Sequence, residues 1–421
     1  MLWGRHVGTV AVPDGESAAL FEYDSEFLRS GIQLSPVVMP LAGRVYSFPE
    51  LSYESFHGLP GLLADSLPDR FGNAIIDAWL ESLGRPRGSM GAIERLCYTG
   101  VRGMGALEYH PAVGPEPTVS DVVDLERLTA IAQDVLARRQ NLHVPSNANG
   151  FEQIIRVGTS AGGARAKALI AWNEETGDLR SGQIDAGPGY GYWLLKFDGV
   201  SANADKEGAD APCYTRIEYA YYLMARAAGV RMSECRLLEE GTRRHFLTKR
   251  FDRVEDGGKL HMQSLGALAH FDFNSAGAHS YEEAVEVMRI VGLGQDEVAE
   301  LFKRMVFNVM ARNQDDHVKN IAFLMNRAGD WSLSPAYDVT YAYNPGGAWT
   351  GSHQMRINGK RDGITLGDLL ACARHMSMRE PLAKAIIGEV RDAILSWANL
   401  ADEAGLPEGQ ARALEDRFLI L

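Results

Sequence analysis

The sequence predicts an α+β protein in which a β-rich beginning and a central sheet precede a helical C-terminal lobe. Three observations carry that prediction. Apolar runs of strand length occupy 167–172, 192–197 and 246–251. Val298, Leu301, Phe302, Met305, Val306, Val309 and Met310 recur at i, i+3, i+4, i+7, i+8, i+11 and i+12, a buried stripe on one long helix. The chain has 421 residues, which at roughly 150 per domain leaves room for two to three domains.

Each element has a local cause. Segments 6–12 and 18–23 gather β-formers on either side of Pro13-Asp14-Gly15, a turn signal. A helix follows Pro68 through Phe71, Ile75, Ile76 and Trp79 and stops before Gly84. Two prolines in 113–118 mark a linker, after which Ser120 is placed to N-cap a helix running to about Arg138. The polar, turn-rich stretch 143–150 marks a boundary, and the expected domains are 1–145, 146–255 and 256–421. A helix over 214–228 is closed by Gly229 as a left-handed residue. A hairpin over 321–325 and 331–333 and helices over 366–375, 383–398 and 407–419 complete the chain.

Composition narrows the function. Apolar residues at 46% and charged residues at 23% are globular values. A net charge of −13 opposes nucleic-acid binding over any broad face. No apolar run reaches the roughly 18 residues of a membrane span, and the beginning of the chain does not read as a secretion signal. Cys97, Cys213, Cys235 and Cys372 lie far apart and form no C-x-x-C. That spacing argues against a zinc or disulfide framework and for a cytoplasmic location.

The densest polar cluster is Asn313-Gln314-Asp315-Asp316-His317-Val318-Lys319-Asn320, between the apolar helix and the hairpin, with Pro335-Ala336-Tyr337-Asp338 beyond. An acid, an amide five residues later and a second acid after a hairpin match what phosphoryl transfer from ATP requires. One carboxylate accepts the proton of the attacking hydroxyl, and the amide oxygen and the second carboxylate hold Mg²⁺. Protein kinases use this separation. Taken one at a time, Asp315, Asp316 and Asp338 could equally cap or solvate helix ends. A metal-dependent phosphohydrolase using Asp315, Asp316 and His317 is a further reading.

Upstream, residues 157–167 form a glycine-rich stretch entering a strand. Its backbone N–H groups could approach phosphate, with Arg165 and Lys167 adding charge. Gly158 and Gly163 have Walker A spacing, but Ala164 and Arg165 stand where that motif needs Lys and Ser/Thr. Lys196, inside an apolar strand, fits a phosphate-binding lysine steadied by Glu218, or else an edge-strand lysine that reaches water. The segment Lys249-Arg250-Phe251-Asp252-Arg253 leaves the sheet where a hinge would contact adenine.

These residues together resemble the HipA family, the serine/threonine kinase toxins of type II toxin–antitoxin modules. The resemblance rests on Ser160, Gly163, Lys167, Leu195-Lys196, Arg250-Phe251-Asp252-Arg253, Asp315 to Asn320 and Pro335 to Asp338. It extends to Phe21-Glu22-Tyr23-Asp24, Leu34-Ser35-Pro36 and Phe56-His57-Gly58-Leu59-Pro60. The resemblance implies a two-lobed protein-kinase-like fold with ATP and Mg²⁺ as cofactors. It implies Asp315 as catalytic base, Asn320 and Asp338 as metal ligands, and Lys196 on nucleotide phosphate. The loop Ala161, Gly162, Gly163, Ala164, Arg165, Ala166 and Lys167 would cover ATP. Lys249, Arg250 and Phe251 would form the adenine hinge, with His317, Lys319, Asn320 and Tyr337 around the nucleotide. Ser160 would be autophosphorylated. The implied partners are a protein substrate, aminoacyl-tRNA synthetases being among the family's targets, and a HipB-like helix-turn-helix antitoxin that makes most of the DNA contact. A catalytically inactive scaffold that binds an antitoxin and helps repress its operator is the alternative. The sequence departs from better-known members in two places, at Ala164-Arg165-Ala166 before the loop lysine and at Thr248-Lys249 before Arg250.

Overall fold

The computed structural model describes residues 1–113, 123–140, 165–200, 213–254 and 258–421. The chain groups into two compact units. Met1–Ile32, Leu41–Pro212 and Arg236–Met262 form the first; Gln33–Pro40, Cys213–Cys235 and Gln263–Leu421 form the second. This grouping differs from the expected limits at 145 and 255. The N-terminal stretch and the central sheet share one unit, and the helix Tyr214–Ala227 belongs with the C-terminal one.

In the first unit, β1 (Gly8–Ala11) and β2 (Leu20–Tyr23) pair antiparallel, and β3 (Val45–Tyr46) completes a sheet in the order β1-β2-β3. Along β2, Phe21 and Tyr23 are buried while Leu20 and Glu22 are exposed, the two-residue alternation of a half-buried strand. Gly58 has φ +76°, and a Cβ there would fall 2.0 Å from the Ser17 carbonyl oxygen, so only glycine fits. The helix Arg70–Ser82 begins after Asp69, whose carboxylate accepts the Gly72 N–H at 2.6 Å. The helix Leu125–Gln140 starts later than expected. Asp124 accepts the Arg127 N–H at 3.1 Å in its first turn, whereas Ser120 lies outside the described residues.

The central sheet comprises β4 (Lys167–Trp172), β5 (Leu179–Ser181), β6 (Gly191–Lys196), β7 (Cys235–Glu240) and β8 (Arg243–Lys249). Its order is β5-β4-β6-β8-β7, so β6 is the middle strand. β4 pairs antiparallel with β6, placing Lys167 opposite Lys196, and β6 pairs with β8, placing Lys196 opposite Phe246. The apolar runs read from sequence bury here: Ile170, Trp193, Leu195 and Leu247 pack with Phe71, Ile75 and Ile76 of the Arg70–Ser82 helix.

The second unit is built on the helix Gln295–Met310, in which every stripe residue from Val298 to Met310 is buried. Residues of Tyr214–Ala227, Leu366–His375 and Glu380–Leu395 share its core. The expected helix over 383–398 is interrupted. It ends at Leu395, the Ser396 hydroxyl donates to the Ala393 carbonyl at 2.6 Å, and a second helix runs Trp397–Glu403. Strands Ala322–Met325 and Trp331–Leu333 form the expected antiparallel hairpin, with Phe323 opposite Leu333. Among the described residues no helix is long and apolar enough to cross a membrane.

Candidate active site

The polar cluster read from sequence forms a tight turn in the second unit. After the Gln295–Met310 helix, Arg312 adopts a left-handed conformation, φ 57°. The Gln314 N–H then donates to the Ala342 carbonyl at 3.0 Å, and the Ala342 N–H to the Arg312 carbonyl at 3.1 Å. A single 3-10 turn follows at Val318–Asn320. The Asn320 side-chain N–H donates to the Asp315 carbonyl at 2.8 Å, which closes the turn and engages the amide through its nitrogen. Beyond the hairpin, the chain returns to the same place. The Tyr337 hydroxyl donates to the Lys319 carbonyl at 2.5 Å. The Ser334 and Ala336 N–H groups donate to the Ala322 and Arg231 carbonyls at 2.9 and 2.8 Å. Asp338 then has φ 57°, a region costly for residues other than glycine and best tolerated by Asn and Asp. Its pinned neighbours supply the constraint that such a conformation needs.

The two adjacent acids have opposite surroundings. Asp315 is partly exposed, and its Oδ1 accepts the Trp349 indole N–H at 2.6 Å. Asp316 is buried. Its Oδ2 meets the Tyr281 hydroxyl at 2.9 Å and His353 Nδ1 at 2.9 Å, and its Oδ1 accepts the Gln354 N–H at 2.8 Å. Burial first, and then the Asp316 charge, push the Tyr281 phenol well above its ordinary value, so it stays a donor. With three hydrogen bonds from the interior, Asp316 is a structural anchor. That engagement counts against the phosphohydrolase reading, which used Asp315, Asp316 and His317 together. His317 packs edge-on to Phe273, with ring centroids 5.9 Å apart, and Lys319 Nζ lies 4.2 Å from the Phe273 centroid. A cavity of about 30 Å³ is lined by Asn320, Tyr337 and Tyr281 among others.

The remaining expected residues, Glu218 apart, belong to the first unit. Lys196 is buried on the middle strand, which removes the edge-strand explanation for it; its Nζ lies 6.0 Å from the Phe246 ring centroid. Glu218, on the Tyr214–Ala227 helix of the second unit, is buried and not on a solvated face. Lys249 is exposed at the end of β8, and Phe251 is partly buried just after it. Ser160, Ala161, Gly162, Gly163 and Ala164 lie outside the described residues, and Arg165 and Ala166 lead into β4.

Lys167 and Arg250 have structural partners that the sequence did not reveal. Lys167 Nζ lies 3.3 Å from Asp69 Oδ2, both buried, which ties β4 to the start of the Arg70–Ser82 helix. Burial raises the Asp69 carboxyl to about 6, against the opposing pull of Lys167. A raised carboxylate pKa means that the folded state binds the proton more tightly than the unfolded chain. The Asp69 contribution to stability is therefore expected to fall as pH rises from about 4 to about 6. The measurement is the stability difference between wild type and Asp69→Asn across that window; a difference independent of pH would refute the assignment.

Arg250 is part of a buried cluster. Its Nε and terminal N–H groups donate to Asp252 at 3.0 and 2.8 Å and to the Gly182 carbonyl at 2.9 Å, and its backbone N–H donates to the Tyr192 carbonyl at 2.8 Å. Arg253 donates to the same Asp252 oxygen at 2.7 Å, as does the Gly105 N–H at 2.7 Å. Burial alone would raise the Asp252 carboxyl; the two guanidiniums prevail and hold it below the ordinary carboxylate range. With its side chain and N–H so engaged, the Arg250 guanidinium serves the fold.

Sequence reading missed Asp69, Tyr281, Trp349, His353 and Gln354. None has a diagnostic spacing. The one available signal is Trp349 itself, a large aromatic residue following Gly346-Gly347-Ala348 in a polar loop.

Comparison with known proteins adds family information. A family model described as the HipA N-terminal domain matches residues 1–110, and one described as the HipA-like C-terminal domain matches 159–398. Two Sinorhizobium fredii proteins carrying kinase names match at 28% identity. Y4dM aligns over 35% of this chain and 37% of its own length, and Y4mE over 49% and 48%. The chain thus spans half or less of the length of these curated relatives. Among solved structures, a chain of the Shewanella oneidensis MR-1 toxin–antitoxin complex of HipA, HipB and operator DNA superposes with a TM-score of 0.65. The match has 17% identity and covers 98% of this chain and 94% of that one. The α+β fold of that HipA chain is therefore shared.

Proposed function

The chain belongs to the HipA family, and from that premise we propose that it is a Mg-ATP-dependent serine/threonine protein kinase, the toxin of a type II toxin–antitoxin module. The observation that carries this reading is the turn in which Asn320 closes onto Asp315 while Asp315 keeps a partly exposed carboxylate. Asp315 would accept the proton of the attacking hydroxyl, and most of the rate would come from positioning. The oxygens of Asn320 and Asp338 suit a hard cation. Mg²⁺ keeps waters and phosphate oxygens among its ligands, so it needs few protein oxygens. When bound, that ion would neutralise charge on the transferring phosphoryl group.

Lys196 would meet nucleotide phosphate, and Lys249 and Phe251 would frame the adenine. The loop Ala161 to Lys167 would cover ATP, with Tyr337, His317 and Lys319 on the phosphate side. Phosphate added to Ser160 would carry about −1.5 to −2 charges and be repelled by ATP, so the loop would switch the enzyme off. The kinase names of the relatives support this reading. The neighbour's complex with HipB and DNA supports a HipB-like antitoxin as partner here, with DNA contacted mainly through it. A net charge of −13 suits that division of labour. The target would be a protein, aminoacyl-tRNA synthetases being one class, in the cytoplasm.

The test is intact mass of wild type before and after Mg-ATP, with mapping of any added phosphate. Phosphate gained at Ser160 is the expected result. No transfer to itself or to a protein substrate, together with no ATP binding by titration, would instead favour the inactive scaffold. Lys196→Met is expected to weaken ATP binding at least about tenfold, the scale of a lost charge-assisted contact; unchanged affinity would remove Lys196 from the site.

A further inference from the structure

We infer that Trp349 is the positioning residue for the Asp315 carboxylate and that Asp316 anchors the segment carrying Trp349. The inference rests on the kinase reading. One short segment, 349–354, holds both acids of the Asp315-Asp316 pair. At its start the Trp349 indole N–H donates to Asp315 Oδ1 at 2.6 Å. At its end His353 Nδ1 and the Gln354 N–H engage the two Asp316 oxygens at 2.9 and 2.8 Å. The Gln354 side-chain N–H closes the segment on itself, reaching the Trp349 carbonyl at 2.6 Å and the Gln314 carbonyl at 3.3 Å. The anchor continues into the core, where Asn308 donates to the Tyr281 hydroxyl at 3.1 Å and Tyr281 donates to Asp316 at 2.9 Å.

The chemistry of the indole suits this task. Its N–H donates and never accepts, and the rigid ring leaves two side-chain torsions to fix. Binding one carboxylate oxygen sets the direction of the other without competing for the incoming proton. The segment has little slack. A Cβ on Gly351 would fall 2.4 Å from the Gly347 carbonyl oxygen, so any side chain there must displace it.

The test uses the full chain and compares wild type, Trp349→Phe and Gly351→Ala. Phe keeps the ring and removes the donor. Trp349→Phe is expected to lower the rate of phosphoryl transfer roughly tenfold, with ATP affinity within about twofold of wild type. Gly351→Ala, which leaves every donor in place but moves the segment, is expected to lower the rate in the same direction. A purely structural tryptophan would instead change thermal stability without a selective loss of rate. An independent readout is the Trp349 indole N–H resonance, which is expected to shift in Asp315→Asn. It decides the question if Trp349→Phe fails to fold. Wild-type transfer matched by Trp349→Phe, or an indole resonance unmoved by Asp315→Asn, overturns the inference alone. No transfer by wild type overturns the kinase reading and this inference with it.

Discussion

Asp315→Asn is expected to lower phosphoryl transfer by about 10²–10⁴-fold, the usual contribution of a positioned general base, with nucleotide affinity and thermal stability close to wild type. The substitution is isosteric. The amide oxygen can still accept the Trp349 N–H that Asp315 Oδ1 accepts at 2.6 Å, so the turn should keep its shape. What disappears is the capacity to take a proton from the attacking hydroxyl. Single-turnover transfer from labelled ATP separates these effects, because binding and chemistry are read apart. Transfer at the wild-type rate would sink the assignment of Asp315 as base. Asp316→Asn makes a useful contrast, since that carboxylate is buried and held by Tyr281, His353 and Gln354. Its cost should appear first in stability.

Asp252→Ala is expected to be the most damaging single change to the first unit, costing about 3–5 kcal/mol. The reason is asymmetry. The Arg250, Asp252 and Arg253 side chains are all buried, and the arginines approach the carboxylate at 2.8 and 2.7 Å. Deleting the acid strands two guanidiniums in the interior and leaves the Gly105 N–H without the acceptor it meets at 2.7 Å. That glycine cannot easily move aside, because its φ is +76° and a Cβ there would lie 2.8 Å from the Met262 nitrogen. Urea unfolding of wild type and variant measures the loss. A cost below about 1 kcal/mol would mean that water or backbone groups can replace the carboxylate.

Periodicity and local spacing made much of the fold legible. The stripe from Val298 to Met310 is buried on Gln295–Met310 because every third or fourth side chain shares a helix face. The runs at β4 and β8 are apolar where the strands leave water, at Ala168 to Ala171 and at Phe246 and Leu247. The turn from Asp315 to Asn320 was legible because its chemistry lies within a few consecutive residues. Helix ends were read less well, since Asp124 and Ser396 act through single hydrogen bonds that spacing does not encode.

Long-range pairing was the part that sequence could not supply. Asp315 and Asp316 are chemically identical neighbours, and the return of the chain gives one an indole donor 34 residues later and binds the other to residues 37 and 38 positions later. Lys167 reads as added charge on a phosphate loop, and only the fold shows Asp69 3.3 Å from it. Arg250 reads as part of a hinge, and only the fold shows its guanidinium on Asp252, itself bonded to Gly105 147 residues away in the chain. The sequence by itself determined which segments are strands or helices and where the candidate acids and amide lie, because those depend on neighbours within a turn or two. The tertiary structure alone decided which charges are neutralised, buried or left exposed, because a charge's partner and its distance from water are set by chain closure.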